Sequence, residues 1–305
     1  MSAFQQTADG GDRTRLAIVL IVIAGIMVPF SDGVAKILGQ TLPILQVAFL
    51  RYATQSLFLA PFVLRRYGLQ AFRPAQPWAQ VARSLLVVAA VLCFYRALKT
   101  QPLADVVAIF FFNPFMVTAL SPWLLGERVG VWRWSAVVVG LIGTFVVIRP
   151  GFAEVDGGTL AAIGAGTAYG AFVLLTRRIR GRDPALITVF LTGLMATALL
   201  AIPVPLVWQA PPVDSIWLLI LLGVFGTAFS LCVVLAYEYG DASLLAPFGY
   251  VEIIAAVGVG YLLFGDLPDV MTWLGILIII GAGVTIALRE RLRNAPPTAG
   301  LRVRR

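Results

Sequence analysis

Ten apolar segments, each about 20 residues long, constrain this chain more than any other feature of its sequence. A helix needs about 20 apolar residues to cross roughly 30 Å of hydrocarbon. Backbone amides cannot stay unpaired in lipid, and the alternating pattern of a barrel strand is absent, so these segments must be helical. We therefore predict an all-α integral membrane protein with ten transmembrane helices. The predicted spans are residues 16–38, 42–64, 77–99, 103–125, 131–149, 159–176, 184–207, 215–239, 242–264 and 270–288.

The composition excludes several other classes of protein. Of the 305 residues, 60% are apolar and 12% are charged, which is incompatible with a soluble globular domain. The chain has no His, and Cys93 and Cys232 lie inside apolar segments, so the usual spacings for zinc or a disulfide framework are missing. We predict no metal and no cofactor. The net charge of +8 is spread over short loops, so we also predict no nucleic-acid partner.

The distribution of basic residues predicts the orientation of the chain. With a cytoplasmic N-terminus, 17 of the 23 basic residues fall on the cytoplasmic side. These are Arg13, Arg15, Arg65, Arg66, Arg73, Arg128, Arg133, Arg177, Arg178, Arg180, Arg182, Arg289, Arg291, Arg293, Arg302, Arg304 and Arg305. The opposite side holds only Lys36, Lys99 and Arg149. We predict a multi-pass protein of the plasma (inner) membrane with both termini in the cytoplasm.

The chain also repeats itself at an offset of 139 residues, because segment 93–134 aligns with segment 232–273 without a gap. The matched pairs are Cys93 with Cys232, Ala97 with Ala236, Leu124 with Leu263, Gly126 with Gly265, Trp134 with Trp273 and the acids Glu127 with Asp266. Five spans per half is an odd number, so the second half is inserted upside down. We predict a cytoplasmic segment 1–15, repeats at 16–149 and 159–288, and a basic tail 289–305. Inverted repeats with a site between them are typical of secondary transporters.

Several short motifs occur in a fixed order along the spans. They are Lys36, Pro43, Phe-Leu-Arg-Tyr around Arg51, Tyr95-Arg96-Ala97-Leu98, Asn113-Pro114, Leu-Leu-Gly-Glu-Arg at 124–128, Leu-Leu-Ala-Pro-Phe at 244–248 and Leu-Phe-Gly-Asp at 263–266. With these motifs, residues 16–288 resemble the ten-helix EamA-type members of the drug/metabolite transporter superfamily. The resemblance implies import or export of amino acids, vitamins or nucleotide-like metabolites. The chain departs from the family pattern at Ile253, where many members have proline.

Two charges lie deep inside predicted spans. Arg51 and Glu252 are each roughly 13–15 Å from a membrane boundary at 1.5 Å per residue. A charge there costs about 2.5–3.5 kcal/mol, so it usually faces a cavity or a partner. In the functional interpretation, Arg51 holds a substrate anion or stabilises the empty cavity, and Glu252 takes a proton or faces a substrate cation. In the structural alternative, the two bond each other or nearby backbone.

Polar and aromatic residues surround the position of Glu252 and its repeat partner, Asn113. Phe110, Phe111 and Phe112 directly precede Asn113, and Tyr250 lies beside the acid. Such a mixture suits a pocket for a small amphipathic metabolite. We predict a substrate-binding set of Arg51, Phe112, Asn113, Tyr250 and Glu252, with Glu252 also coupling transport to protons. The alternative is that the aromatic residues face lipid or only pack.

Three prolines, Pro29, Pro114 and Pro247, lie inside or near the start of spans. A missing amide hydrogen bond kinks a helix, so we predict that they act as gating hinges, although static membrane helices also contain proline.

Two further interactions are predicted nearer the boundaries. Asp32 and Lys36 lie one turn apart and suit an ion pair, and Arg83 is expected to extend to the cytoplasmic interface. Arg96 and Lys99 likewise lie near the outer face, and none of Arg83, Arg96 and Lys99 is predicted as a substrate ligand.

Energy for transport must come from gradients, because the chain lacks the Gly-x-x-x-x-Gly-Lys-Ser/Thr motif for ATP. The sequence therefore predicts a secondary transporter of a small organic metabolite that works by alternating access. Two alternatives stay open. One is a membrane-embedded enzyme acting on lipid, which usually presents His or acid clusters that this chain lacks, and the other is a passive channel. The lipid bilayer is the expected surrounding, and a homodimer stays open.

Overall fold

The structure is a computed structural model that describes residues 3–126, 129–150, 156–179, 181–240 and 242–294. Among the residues used in the sequence analysis, Glu127, Arg128, Arg180, Arg302, Arg304 and Arg305 lie outside these ranges.

Twelve α-helices follow one another along the described chain, joined by short loops and three 3₁₀ helices. They are α1 (Ala3–Thr41), α2 (Ile44–Tyr67), α3 (Pro77–Leu98), α4 (Leu103–Phe110), α5 (Asn113–Leu125), α6 (Val131–Ile148), α7 (Gly157–Arg178), α8 (Ala185–Ala201), α9 (Ile216–Tyr239), α10 (Ala242–Gly249), α11 (Val251–Phe264) and α12 (Val270–Asn294). The described residues contain no β-strand, so the all-α prediction is confirmed.

Eight helical segments are long and apolar enough to cross a membrane. They are Arg13–Thr41, Ile44–Phe72, Pro77–Leu98, Leu103–Leu125, Val131–Ile148, Gly157–Arg178, Val213–Tyr239 and Pro247–Phe264. Two shorter apolar helices, Ala185–Ala201 and Val270–Ile286, coincide with the remaining two predicted spans. The first of them is shorter than the predicted 184–207, because the chain passes from α8 into a 3₁₀ helix at Val204–Leu206.

Two of the predicted spans are broken rather than continuous. Within 103–125, α4 ends at Phe110 and α5 begins at Asn113. Pro114 has no amide hydrogen with which to bond the carbonyl of Phe110, and the side-chain amide of Asn113 donates to that carbonyl instead, at 2.9 Å. Within 242–264, Tyr250 separates α10 from α11, shortly after Pro247. By contrast, Pro29 lies inside the uninterrupted α1.

Helix boundaries and helix packing recur between the two halves. Ile216, Ala242 and Val270, which begin α9, α10 and α12, each lie 139 residues after the first residue of α3, α4 and α6. Helices α1–α6 correspond in order to α7–α12, and the packing agrees with this correspondence. α1 packs on α9 as α7 packs on α3, while α2 packs on its own counterpart α8 and α6 on its counterpart α12. Equivalent helices therefore have equivalent neighbours.

Some equivalent contacts differ between the halves, and one of these differences lies beside the cavity. α4 packs along α11, where Leu103 approaches Gly260, whereas extensive packing between their counterparts α10 and α5 is absent among the described residues. We call the end of the molecule that contains Lys36, Gln101 and Asp266 the Lys36 end. The opposite end, which contains Arg83 and Arg177, is the Arg177 end. The molecule is therefore packed shut between α4 and α11 at the Lys36 end.

Candidate substrate site

A cavity of about 790 Å³ lies between the two halves of the molecule. Its lining reaches the exposed Arg177 and Gly181, so the cavity opens at the Arg177 end. Its deepest polar group consists of Asp32, Arg51 and Glu252. The volume falls within the range of about 300–1,000 Å³ that is typical of small-molecule sites.

Arg51 is held in place by two residues from neighbouring helices. Its Nη1 donates to the carboxylate of Asp32 on α1 at 3.3 Å and to the hydroxyl of Tyr95 on α3 at 2.9 Å. The Arg51 side chain lies against Gly226 of α9, where a Cβ would come within 3.6 Å of Nε. That Nε is buried and has no hydrogen-bond partner. The guanidinium is thus held through Nη1, while its Nε can still donate a hydrogen bond.

Glu252 lies in the first turn of α11 and lines the cavity. No described residue donates a hydrogen bond to its carboxylate, and Arg51 is not within ion-pair distance of it. The structural alternative in which these two residues bond each other is therefore not observed. The backbone of Glu252 approaches Gly25 of α1, where a Cβ would lie 3.4 Å from the Glu252 amide nitrogen. The acid is positioned by its backbone, and its side chain remains available to the cavity.

We call Asp32, Arg51 and Glu252 the charged floor. Asp32 and Arg51 come from the first half of the chain and Glu252 from the second, so the floor joins the two halves. It contains two carboxylates and one guanidinium. An ionised floor is consequently richer in acceptors than in donors.

Of the five predicted substrate-binding residues, four line the cavity and one does not. Asn113 and Tyr250 join Arg51 and Glu252 in the lining, and the Tyr250 ring covers Gly283 of α12. Phe112 instead lies against Gly166 of α7, outside the lining. The reason is geometric, since the neighbouring residues at a helix break point to different sides.

Six aromatic residues form a continuous surface along the cavity, which we call the aromatic wall. They are Phe94, Phe110, Phe111, Tyr169, Phe172 and Tyr250, and all six line the cavity. Adjacent ring centroids are 5.0–6.4 Å apart along the series, a separation typical of aromatic pairs. The wall runs from Phe172 near the Arg177 end to Tyr250 beside Glu252.

Arg83 lies at the end of the aromatic wall nearest the cavity opening. Its guanidinium donates to Gln80 at 2.6 Å and to Thr176 at 2.8 Å, and it lies 4.9 Å from the centre of the Phe172 ring. The residue is only 3% exposed, so the expected extension to the membrane interface is wrong. Gln80, one turn earlier in α3, and Thr176 of the neighbouring α7 accept its hydrogen bonds instead. Asp183 accepts from Gln80 in the same group.

Lys36 closes the opposite end of the molecule. Its ammonium lies 3.4 Å from the carboxylate of Asp266, donates to the carbonyl of Gln101 at 3.0 Å, and lies 4.6 Å from the centre of the Phe264 ring. The predicted Asp32–Lys36 pair is therefore wrong. Tertiary packing gives each residue another partner, Arg51 for the acid and Asp266 for the base.

Two carboxylates at the Lys36 end are stabilised in their charged form. The Thr159 amide, together with the side chains of Thr159 and Gln101, lowers the pKa of Asp156 well below its usual range. A hydrogen bond from Arg149 at 2.5 Å, with the Thr272 amide, lowers the pKa of Asp269. Both acids cap helices, α7 and α12 respectively, and each also binds a side chain from elsewhere in the sequence.

Sequence reasoning did not assign several lining residues to the site, among them Asp32, Tyr95 and Tyr169. Asp32 and Tyr95 hold Arg51, and Tyr169 joins the aromatic wall. Tyr95 lies in the Tyr-Arg-Ala-Leu motif, which is a usable signal, whereas nothing local to Tyr169 distinguishes it from a lipid-facing tyrosine. No cluster of metal-binding side chains occurs in the described ranges.

A family model described as the EamA-like transporter family matches the chain twice, over residues 15–149 and 156–288. The chain belongs to the EamA-like transporter family. This family is part of the drug/metabolite transporter superfamily, as the motifs predicted. The match covers both halves that the structure relates by helix boundaries.

Curated relatives of this EamA-like protein are named as transporters. A riboflavin transporter of Rhizobium johnstonii is 28% identical over 302 residues, covering 97% of this chain and all of the relative. An S-adenosylmethionine uptake transporter of Rickettsia prowazekii is 28% identical over 86% of this chain and 88% of the relative. A pseudopaline exporter of Pseudomonas aeruginosa is 26% identical over 92% of this chain and 99% of the relative.

A solved crystal structure of another protein has the same fold, with a TM-score of 0.65 at 17% sequence identity. The match covers 93% of this chain and 99% of the other chain. The EamA-like protein is thus a multi-pass membrane protein and a secondary transporter of a small metabolite, as predicted.

Proposed function

We propose that this EamA-like transporter moves a vitamin, nucleotide-like compound or amino acid across the plasma membrane by alternating access. The observation that carries the proposal is one cavity between the halves that is open at the Arg177 end and closed at the Lys36 end. Exchange of equivalent contacts between the halves would open the Lys36 end and close the other. The Arg177 end carries most of the basic loop residues, so we assign it to the cytoplasm, together with both termini.

The proposed architecture is ten spans arranged as two inverted repeats, 16–149 and 159–288, between a cytoplasmic segment 1–15 and a basic tail 289–305. One contact chain supports the inversion. Lys36, near the C-terminal end of α1, bonds Gln101, which bonds Asp156 at the N-terminal end of α7. Because α1 and α7 are equivalent in the repeat, their opposite ends meeting at one end of the molecule implies opposite directions through the membrane.

The proposed substrate site comprises Arg51, Asn113, Tyr250 and Glu252, to which we add Asp32. The names of the relatives support a vitamin or nucleotide-like substrate, since one is named for riboflavin and another for S-adenosylmethionine. Both uptake and export occur among these names, so either direction is compatible with the site.

Glu252 is the proposed proton-coupling residue, and the two helix breaks are the proposed hinges. The Glu252 carboxylate lines the cavity without a hydrogen-bond partner from the described chain, which leaves it free to bind and release a proton. The breaks lie beside Pro114 and Pro247, where missing amide donors lower the cost of bending. Pro29 is a weaker hinge candidate, because α1 continues through it.

Uptake into proteoliposomes tests this proposal. We expect saturable accumulation of labelled riboflavin or S-adenosylmethionine under an imposed proton gradient. Glu252→Gln should lose gradient-driven accumulation and keep substrate exchange, because glutamine cannot titrate. The matched control is Glu238→Gln, at an exposed position outside the cavity lining. Undiminished accumulation by Glu252→Gln would disprove proton coupling through this acid, and uptake that never saturates would indicate a channel.

A further inference from the structure

The aromatic wall is the feature of the cavity that the transport mechanism does not require. Alternating access needs a closable cavity, which aliphatic side chains would line equally well. Here six rings from α3, α4, α7 and the two helix breaks meet along one side instead. The wall therefore calls for an explanation in terms of what it binds.

Rings from separate parts of the sequence build this surface. Phe110 contacts Phe94 of α3 at 5.3 Å and Tyr169 of α7 at 5.0 Å, and Phe111 contacts Tyr250 at 5.4 Å. Phe110, Tyr169 and Phe172 are only partly buried, so part of each ring remains accessible from the cavity. A planar ring that stacks on such a surface gains about 1–3 kcal/mol.

The charged floor complements the aromatic wall. The floor holds two carboxylates and one guanidinium, and the carboxylate of Glu252 has no donor from the described chain. The Glu252 side chain is partly exposed to the cavity, so a ligand that brings N–H groups or positive charge can bond its carboxylate, and the buried Nε of Arg51 can donate to an acceptor on the same ligand. A molecule with a planar ring and attached donor groups satisfies both surfaces at once.

We propose that the cavity selects a planar heteroaromatic substrate, whose ring stacks on the aromatic wall and whose hydrogen-bond donors point to Asp32 and Glu252. This inference rests on the proposed transport function and narrows its substrate class. It excludes aliphatic amino acids, which would leave the wall without a partner. Phe110 and Tyr169, at the middle of the wall, are the residues that determine specificity.

Competition binding with ligand fragments tests the role of the ring. The purified full-length protein in lipid nanodiscs is titrated with tritiated S-adenosylmethionine and tritiated riboflavin. Adenosine and lumichrome carry the rings of these two probes, whereas methionine and ribitol carry the parts without a ring. We expect the ring fragments to compete with the probes. The ring-free fragments should not compete even at a concentration tenfold higher than that at which the ring fragments do, a difference in binding free energy of at least about 1.4 kcal/mol.

Variants of the aromatic wall supply the second arm. Tyr169→Leu and Phe110→Leu should each weaken binding roughly fivefold to thirtyfold, because each removes one stacking surface. Tyr169→Phe keeps the ring and should bind within about twofold of the wild type. Phe112→Leu is the matched control, since Phe112 adjoins the wall in sequence but lies outside the cavity lining. Size-exclusion profiles exclude misfolded variants.

Failure of this inference is distinguishable from failure of the transport proposal. Equal competition by methionine or ribitol, or unchanged binding by both leucine variants, would overturn the inference. The inference would also be overturned if neither probe bound and an aliphatic amino acid showed saturable uptake. That result would leave the transport proposal intact. Absence of saturable uptake of every compound tested would instead contradict the transport proposal itself.

Discussion

The two ends of the cavity differ in how their charges are used. At the Lys36 end, opposite charges from distant segments pair with each other, as in Lys36 with Asp266 and Arg149 with Asp269. At the Arg177 end, Arg83 bonds the neutral side chains of Gln80 and Thr176, and Arg177 is exposed. Pairs of opposite charge hold distant segments together, whereas the exposed charge of Arg177 leaves the cavity open beside it. The difference leads us to expect that charge pairing across the halves, together with the packing of α4 on α11, closes the Lys36 end.

Reporter fusions decide which end faces the cytoplasm, and the expected effect is all or none. A reporter that is active only in the cytoplasm, fused after Arg305, should be active, because 17 basic residues favour that side. A periplasmic reporter at the same site should be inactive. The reverse result would assign the open Arg177 end to the outside and contradict the orientation that the basic residues predict.

Arg51→Ala should abolish most transport and lower stability, because it leaves the carboxylate of Asp32 without its partner. Removal of one member of a buried ion pair lowers the free energy of unfolding by about 3–5 kcal/mol. Because Arg51 also lines the proposed substrate cavity, we expect at least a tenfold loss of initial uptake rate. Arg83→Ala is the comparison at the other end and should cost less, since no described acid pairs with Arg83. Equal losses of thermal stability in the two variants would contradict this contrast. Adding Asp32→Asn to Arg51→Ala should recover part of the stability.

Lys36→Met should loosen the closed end of the molecule. It removes the ion pair with Asp266 and the hydrogen bond to Gln101 while keeping an apolar stem over Phe264. In a background without Cys93 and Cys232, a cysteine at the buried Ala104 should react with a membrane-impermeant maleimide about threefold to tenfold faster. The same change should leave labelling at Arg177→Cys unaltered. An unchanged rate at position 104 would show that helix packing alone keeps this end closed.

Asp156→Ala should have the smallest effect, a lower stability that depends on pH. The folded pKa of Asp156 is depressed, so its contribution is fully present above the unfolded value of about 3.9 and is lost as the pH falls through the folded pKa. Loss of this helix cap should cost about 1 kcal/mol at pH 7. We expect the melting temperature to fall by about 2–4 °C at pH 7 and the difference to shrink below about pH 4. A pH-independent difference would assign the effect to packing.

The interior of the site was only partly predictable. Arg51, Asn113, Tyr250 and Glu252 were identifiable because charge, amide and phenol groups are rare in apolar segments, and all four line the cavity. Phe112 was not separable from Phe110 and Phe111, because the helix break changes the direction of successive side chains. Position in sequence cannot distinguish three consecutive phenylalanines when the helical period stops between them.

Local spacing also failed to predict the ionic partners. Asp32 and Lys36 lie one turn apart, yet each finds a partner on another helix, Arg51 and Asp266 respectively. An ion pair within one helix contributes only about 0.2–0.5 kcal/mol, so an ion pair with another helix in a less solvated position easily replaces it.

The sequence by itself determined that this chain is a multi-pass helical membrane protein and a secondary transporter. The reason is that lipid leaves an apolar segment no option but an internally bonded helix, and the motifs specify the family. Only the tertiary structure decided where the spans break, which charges pair, which end is open and which rings face the cavity. Those features depend on contacts between residues far apart in the chain, such as Lys36 with Asp266 and Phe110 with Tyr169, and no local pattern encodes them.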